Sequence, residues 1–230
     1  MKKLFIAFIA LSFFLVSCKD KSKTGTTTER AGIDNPQSTA AGNDSLEKAK
    51  AINDSLEFAK RKDSILLKLT QSILLALKNK NYSAFANHIH PVDGIRFSPY
   101  GHIDTVHHIK FTRSSFLSQS NKTELDMIVW GEFDGTGDPI KMTLNNYLQR
   151  FVYDADFVKP EKLEVNKFIG YGNSDNNLLS VYKDGNFTES HFSGFDKKYN
   201  GMDWKSLRLV FKERNKRFFL VGIVHDEWTI

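Results

Sequence analysis

Cysteine is nearly absent from this sequence of 230 residues: Cys18 is the only one. No internal disulfide can form, and a cysteine-based zinc framework is excluded with it. Net charge is nearly absent too, once it is located. The formal charge of +5 looks basic, but Lys2 and Lys3 belong to the first 17 residues, and residues 18–62 carry nine basic against seven acidic groups. From Asp63 onward 21 basic residues face 20 acidic ones. A nucleic-acid-binding domain concentrates its basic excess on the folded part, so no nucleic-acid partner is expected. No apolar run approaches the ~20 residues that a membrane-spanning helix needs. Also missing are a Gly-x-Ser-x-Gly elbow, a P-loop, a dinucleotide fingerprint and a His-Glu-x-x-His helix. The common routes to nucleophilic, nucleotide-dependent and zinc-dependent catalysis therefore leave no mark. A non-catalytic protein without a cofactor is the favoured expectation.

What is present begins at the N-terminus. Lys2-Lys3 is followed by the apolar stretch Leu4–Val16, broken only by Ser12. That length suits the core of a signal peptide. The stretch ends in Leu15-Val16-Ser17-Cys18, which resembles the lipobox of bacterial lipoproteins. The resemblance implies cleavage between Ser17 and Cys18, a diacylglycerol on the Cys18 thiol and an acyl group such as palmitate on the new amine. Each buried CH₂ contributes about 0.8 kcal/mol, and two or more chains hold a protein stably on a membrane. Lys19 replaces the Asp that marks inner-membrane retention in some of these proteins. The run Lys19-Asp20-Lys21-Ser22-Lys23 is mostly basic. The expected location is thus the cell envelope, on the outer membrane facing the periplasm.

Residues 18–43 are rich in Thr, Ser, Gly, Lys and Asn without apolar periodicity, the composition of a disordered tether with a reach of about 25–30 Å. A short repeat follows: Asn43-Asp44-Ser45-Leu46-Glu47 returns as Asn53-Asp54-Ser55-Leu56-Glu57. Residues 44–62 read as a charged helical stalk, with a stripe of Leu46, Ala49, Leu56 and Ala59 too thin for a secure coiled coil. From Asp63 the apolar spacing strengthens through Leu66, Leu69, Ile73 and Leu77, a helix with one face to bury.

The strongest fold signal lies at the other end. Leu207, Leu209 and Phe211 alternate with Arg208, Val210 and Lys212, the pattern of a half-buried strand. Phe218–Val224 has no polar break and reads as a central strand covered on both faces, with Leu220 and Val224 on one face and Val221 and Ile223 on the other. Asn215 suits the left-handed position of a four- or five-residue loop between them. The Asp63–Leu77 helix would cover this hairpin. Between the two, Tyr82–His88 reads as a short helix. Ile95–Phe97, Val106–Phe111, Leu125–Trp130, Leu163–Ile169, Leu178–Lys183 and Phe187–Phe192 read as strands, the last two joined at Asp184-Gly185-Asn186. Thr112 and Thr143 are placed to cap helices. The expected class over residues 63–230 is α+β, with N-terminal helices packed on a curved, mostly antiparallel sheet.

The opening helix, Asn81-Tyr82 through His90-Pro91, and the terminal strand pair resemble the NTF2-like (cystatin-like) cone. The blocks Gly94–Tyr100, Trp130–Gly135, Arg150–Tyr153 and Gly201–Trp204 through Trp228-Thr229-Ile230 resemble a group of uncharacterised bacterial envelope lipoproteins. That second likeness spans residues 85–230 and implies no activity.

Candidate chemistry is sparse. His88, His90, His107 and His108, with His102 or Asp104, lack metal-ligand spacing, and no metal is expected. Asp134-Gly-Thr-Gly-Asp138 reads as a glycine turn, not a calcium loop. Asp154 with Asp156, and Asp226 with Glu227, are the paired carboxylates available for acid–base work. Trp130, Trp204 and Trp228 fall at strand ends, with His191 and His225 near them, and could rim a pocket in a cone-shaped sheet. Two classes of function remain: a tethered domain binding a small apolar ligand or an envelope protein, or an envelope enzyme, hydrolase- or isomerase-like, using His and Asp in that pocket.

Overall fold

The longest element is a helix, α1, running from Ala40 to Lys78. The computed structural model describes residues 40–122, 126–173 and 175–229. Ser17, Cys18 and the expected signal peptide fall outside the described residues, as do residues 18–39 of the expected tether. Among the described residues every strand belongs to the unit formed by residues 48–230. Residues 46–61 of α1 are exposed on all sides, whereas Leu66, Thr70, Ile73, Leu74 and Leu77 are buried. The apolar spacing that strengthens after Asp63 is thus the spacing that meets the core. Two backbone bonds end the helix, from Asn81 N to Ala76 O (2.8 Å) and from Lys80 N to Leu77 O (3.0 Å). Lys80 takes the left-handed conformation between them, at φ 52°. This is a Schellman closure with Lys where Gly is usual. Asn81 then opens α2 (Tyr82–Ala86), its side-chain oxygen accepting from Ala84 N at 3.0 Å.

The remaining elements follow in order: β1 (Ile95–Ser98), β2 (Lys110–Phe111), α3 (Arg113–Ser120), β3 (Ile128–Glu132), β4 (Pro139–Met142), α4 (Leu144–Phe151), β5 (Lys162–Val165), α5 (Leu178–Val181), β6 (Asn186–Phe192), β7 (Lys205–Arg214) and β8 (Arg217–Glu227). Six strands form one sheet in the order β2-β1-β8-β7-β6-β5; β3 and β4 form a separate ribbon. All pairings in the large sheet are antiparallel except β1 with β8. The α+β expectation holds, with β7 and β8 at the centre.

Several local expectations need correction. The hairpin loop is two residues long, because Asn215 (φ 50°) and Lys216 (φ 60°) are both left-handed, the geometry of a type I′ turn whose twist matches the strands. Val221 is an extra residue in β8: Phe211 pairs with Leu220 while Val210 pairs with Gly222. The bulge rotates the strand, so Leu220 shares a core with Ile223, and Val221 shares one with Val224. Leu178–Lys183 is no strand. Its first four residues form α5, which places Leu178 against Phe187 and Val210, and Lys183-Asp184 is a turn into β6, closed by Gly185 N donating to Tyr182 O at 2.9 Å. Val106–Phe111 shrinks to β2, because Asp104 draws Val106 and His107 into a turn. Leu163–Ile169 stops at Val165, since Asn166 is left-handed at φ 53°. The Leu125–Trp130 strand begins at Ile128 and runs to Glu132, with Leu125 itself outside the described residues. Finally, β7 is buried on both faces, Arg208 included.

Two cores result. The main one lies on the face under α1, where Thr70 and Thr188 share a hydrogen bond of 2.7 Å that ties α1 to β6. The amphipathic α4 adds Leu144, Tyr147, Leu148 and Phe151, all buried, and the Tyr147 ring stacks on Trp130 at 3.8 Å. Each such side chain contributes about 1.5–3 kcal/mol on full burial. The second, smaller core lies on the opposite face, where Ile103, Leu178 and Phe187 meet Val210, Val221 and Val224. Among the described residues no helix is long and apolar enough to cross a membrane.

Candidate functional site

One recess is a groove of about 900 Å³ built from three loops: Tyr100–His108, Gly131–Pro139 and the turn at Asp175. Asp104 organises the first loop. Its Oδ1 accepts from the N–H groups of Val106 (2.7 Å) and His107 (3.0 Å), and its Oδ2 meets His107 Nδ1 at 2.6 Å. These donors hold its carboxyl well below the usual range, the His107 N–H first among them. His108 is set differently. Its Nδ1 accepts from Asp104 N (3.1 Å) and from the Ser98 hydroxyl (3.0 Å), so its Nε2 carries the proton. Burial, more than offsetting Asp104, lowers its pKa to about 4, and His108 is neutral at pH 7. Gly131, with φ 134°, lets the second loop approach: a Cβ there would sit 3.2 Å from the His108 ring. Among the described residues four carboxylates line the groove, Asp104, Glu132, Asp134 and Asp175, and no Lys or Arg does.

A second polar centre is closed. Arg208 is fully buried on the face away from α1. Its Nε donates to Glu189 Oε2 at 2.9 Å, its Nη1 to Asp226 Oδ2 at 2.7 Å and its Nη2 to Gly170 O at 2.9 Å. Glu189 also accepts from Ile169 N (3.1 Å), Gly170 N (2.8 Å) and the Ser206 hydroxyl (2.6 Å). His191 Nδ1 lies 2.8 Å from Ser206 Oγ. Burial pulls the Arg208 pKa down, but Glu189 and Asp226 overcome it and the net direction is up. Asp226 is raised, burial outweighing Arg208, and its Oδ1 has no partner. The network pins the 168–173 segment over the sheet.

A third cluster joins α4 to the sheet. Asp154 Oδ2 meets Lys205 Nζ and, at 3.3 Å, His225 Nε2, while Arg150 pairs with Glu227. His225 Nδ1 lies 3.2 Å from the Pro99 carbonyl, to which it donates. Burial alone would raise the Asp154 carboxyl, but His225 and Lys205 bring it down to about 2. Ligand atoms of Asp154, His225 and Glu227 lie within 4.8 Å of one another, the geometry of a three-ligand metal site. Lys205 and Arg150 already neutralise the two carboxylates. A metal ion would have to displace both cations, so the chemistry of this donor set is that of an ion-pair cluster.

The five residues singled out as a pocket rim are distributed over separate places. Trp130 is wholly inside the main core, its indole N–H bonded to Met142 O at 3.0 Å. His191 and Trp204 come together, ring centres 5.9 Å apart, beside the Arg208 network. His225 belongs to the Asp154 cluster, on the opposite face, and Trp228 is 39% exposed. The carboxylate pairs also separate. Asp154 is buried whereas Asp156 bonds the exposed Lys78 (2.8 Å), and Asp226 reaches Arg208 whereas Glu227 reaches Arg150. His88 lies 3.2 Å from Ser72, and His90 Nδ1 accepts from Asp93 N at 2.8 Å, both away from the groove that holds His102, His107 and His108. Arg208, Glu189 and Lys205 were missed. The only signal of Glu189 and Arg208 is a charge in the middle of a strand, which reads first as a solvent face, and Lys205 is a charge at a strand's first residue. Searches of protein families, of curated proteins and of solved structures find no match to this chain.

Proposed function

We propose that this chain is a lipid-anchored protein of the bacterial envelope, held at Cys18 on the outer membrane and facing the periplasm, whose domain is a non-catalytic binding module of NTF2-like architecture. The lipobox-like Leu15-Val16-Ser17-Cys18 and the solitary cysteine support the anchor. The NTF2-like reading draws on the helix, the short helix, and a sheet whose last two strands are central with β1 laid parallel to β8. One observation carries the binding reading: among the described residues the groove is lined by four carboxylates and no Lys or Arg, whereas the sheet face under α1 is packed with buried side chains. That packing favours an occupant outside the cone over a small apolar ligand within it. The chemistry of the groove selects a positively charged segment of an envelope protein.

Glu132 and Asp175 are exposed, so both can be reversed to Lys without disturbing the core. The full chain should bind a lysine-rich peptide with an affinity that falls with salt, and the double reversal should abolish binding. Equal binding by both proteins would sink the reading. Labelled fatty acid should enter the wild type and not Cys18→Ser.

A second reading has its own observation. His225 and Asp154 lie 3.3 Å apart with the carboxyl pKa lowered to about 2, the arrangement of an oriented general base. Against it, both His225 ring nitrogens are engaged, by Pro99 O and Asp154, the ring is fully buried and Lys205 occupies Asp154. Alanine at His191 and at His225 would silence an enzyme; an unchanged phenotype at both leaves the binding module.

A further inference from the structure

A smaller recess, of about 290 Å³, lies on the other side of the 104–108 loop, between the edge of the sheet and Tyr182. Its floor is a row across three strands. Lys110 in β2 is the direct partner of Arg96 in β1, and Arg96 of Gly222 in β8. Direct partners project from the same face, so two cations stand opposite one another. Like charges in that position repel and destabilise the pairing unless an anion offsets them. Among the described residues neither Arg96 nor Lys110 has an ion-pair partner. Lys212 is the third cation of the recess, and the single carboxylate, Asp93, is already bonded to it at 2.8 Å. Burial lowers the His90 pKa, Asp93 opposes this, and Lys212, Arg214 and Lys110 lower it further, so the positive field extends beyond the recess.

The recess is built as well as charged. Arg96 Nη1 donates to the carbonyls of Asp104 (3.2 Å) and His108 (2.9 Å), and a side-chain hydrogen bond links Arg96 to Tyr182, so the guanidinium is held in place at the recess. Gly222 contributes no side chain, and the Tyr182 ring fills part of that gap: a Cβ at Gly222 would lie 2.7 Å from the Tyr182 hydroxyl. The hydroxyl itself sits 3.4 Å from Val221 O.

We infer that this recess binds a small oxyanion of the phosphate type, with Arg96 and Lys110 as its paired charges and Lys212 at the rim. Phosphate accepts from a guanidinium and an ammonium together, and it cancels the repulsion that the two strands impose. The volume excludes a polyanion and admits a headgroup. A free phosphate ester and an anionic lipid headgroup present the same chemistry.

The test uses the full chain carrying Cys18→Ser, so that no acyl group confounds the vesicle arm. Binding of inorganic phosphate and of glycerol 3-phosphate is measured by calorimetry at constant ionic strength. Sedimentation with phosphatidylglycerol vesicles is compared with sedimentation with phosphatidylcholine vesicles. Lys110→Gln should weaken binding about tenfold, the loss of one charge-assisted hydrogen bond, while Asp175→Asn in the acidic groove should not. Lys110 is exposed, so this variant folds even if Arg96→Gln does not. Saturable binding of the soluble esters that Lys110→Gln weakens assigns a free ligand, and vesicle binding with the same dependence assigns a headgroup. No binding in either arm, or binding indifferent to Lys110→Gln, overturns the inference.

Discussion

Arg208→Met is the most informative single change in this protein. The side chain it removes is fully buried and makes contact with two carboxylates and a carbonyl. The two acids are left in unequal positions. Glu189 keeps three donors, Ile169 N, Gly170 N and the Ser206 hydroxyl. Asp226 keeps none of its hydrogen bonds, because Oδ2 loses Arg208 and Oδ1 had no partner. Removing one member of a buried ion pair costs about 3–5 kcal/mol. For a domain of this size that is a fall in Tm of roughly 6–20 °C. The pH dependence separates this account from simple loss of packing. Asp226 already has a raised pKa from burial, with Arg208 opposing, and without Arg208 it rises further. An acid whose folded pKa exceeds its unfolded value favours folding while protonated, and that benefit is lost as pH climbs through the folded pKa. The deficit of Arg208→Met should therefore grow with rising pH and shrink as the solution is acidified. Adding Asp226→Asn should recover part of it at pH 7 with a coupling above about 1 kcal/mol. Urea unfolding of both variants at pH 5, 7 and 8 provides the measurement. An Arg208→Met protein within about 1 kcal/mol of the wild type at pH 8, or a deficit independent of pH, refutes the reasoning.

Three further expectations follow from single contacts. Thr70→Val leaves the Thr188 hydroxyl buried without its 2.7 Å partner and should cost about 1–3 kcal/mol; the double valine variant should recover most of this by denaturant melts. Gly170→Ala would put a Cβ 2.4 Å from Ser206 Oγ and 2.6 Å from the Trp204 ring, so the 168–173 segment must lift, destabilising by about 1–3 kcal/mol and shifting Trp204 fluorescence to the red. Asp154 has its carboxyl lowered from 3.8 to about 2, which places about 2 kcal/mol of stability above pH 3.8 that is lost as pH falls toward 2. Asp154→Asn should lack it, so the stability gap between the two proteins should close over that acid range.

The parts of the fold legible in the sequence are those where one residue's spacing decides its surroundings. Leu66, Ile73 and Leu77, like Leu144, Tyr147, Leu148 and Phe151, follow the i, i+3, i+4, i+7 spacing of one helical face and must share it. The unbroken apolar run of β8 demanded cover on both sides, and received it. Arg208 resisted because alternation assigns polarity to solvent, and that rule holds only while the second face of the sheet is bare. Whether it is bare depends on α5 and the 168–173 segment, where four residues of Leu178–Val181 are too few to separate a helix from a strand. The acidic groove resisted for a related reason. Its walls come from loops some 30 and 70 residues apart in the chain, and loops have no period to read. Yet the network did leave a trace. Glu189 and Arg208 are each the only charged residue inside an otherwise uncharged strand interior, Phe187–Phe192 and Ser206–Phe211. In a sheet with both faces covered, neither can reach water, and burial of an unpaired charge is prohibitive. Each then needs a buried partner of opposite charge, and β6 beside β7 in the register that sets Glu189 opposite Arg208 supplies one, with Asp226 as the second acid on Arg208. Two charges that look like surface residues thereby favour the strand pairing at the centre of the domain.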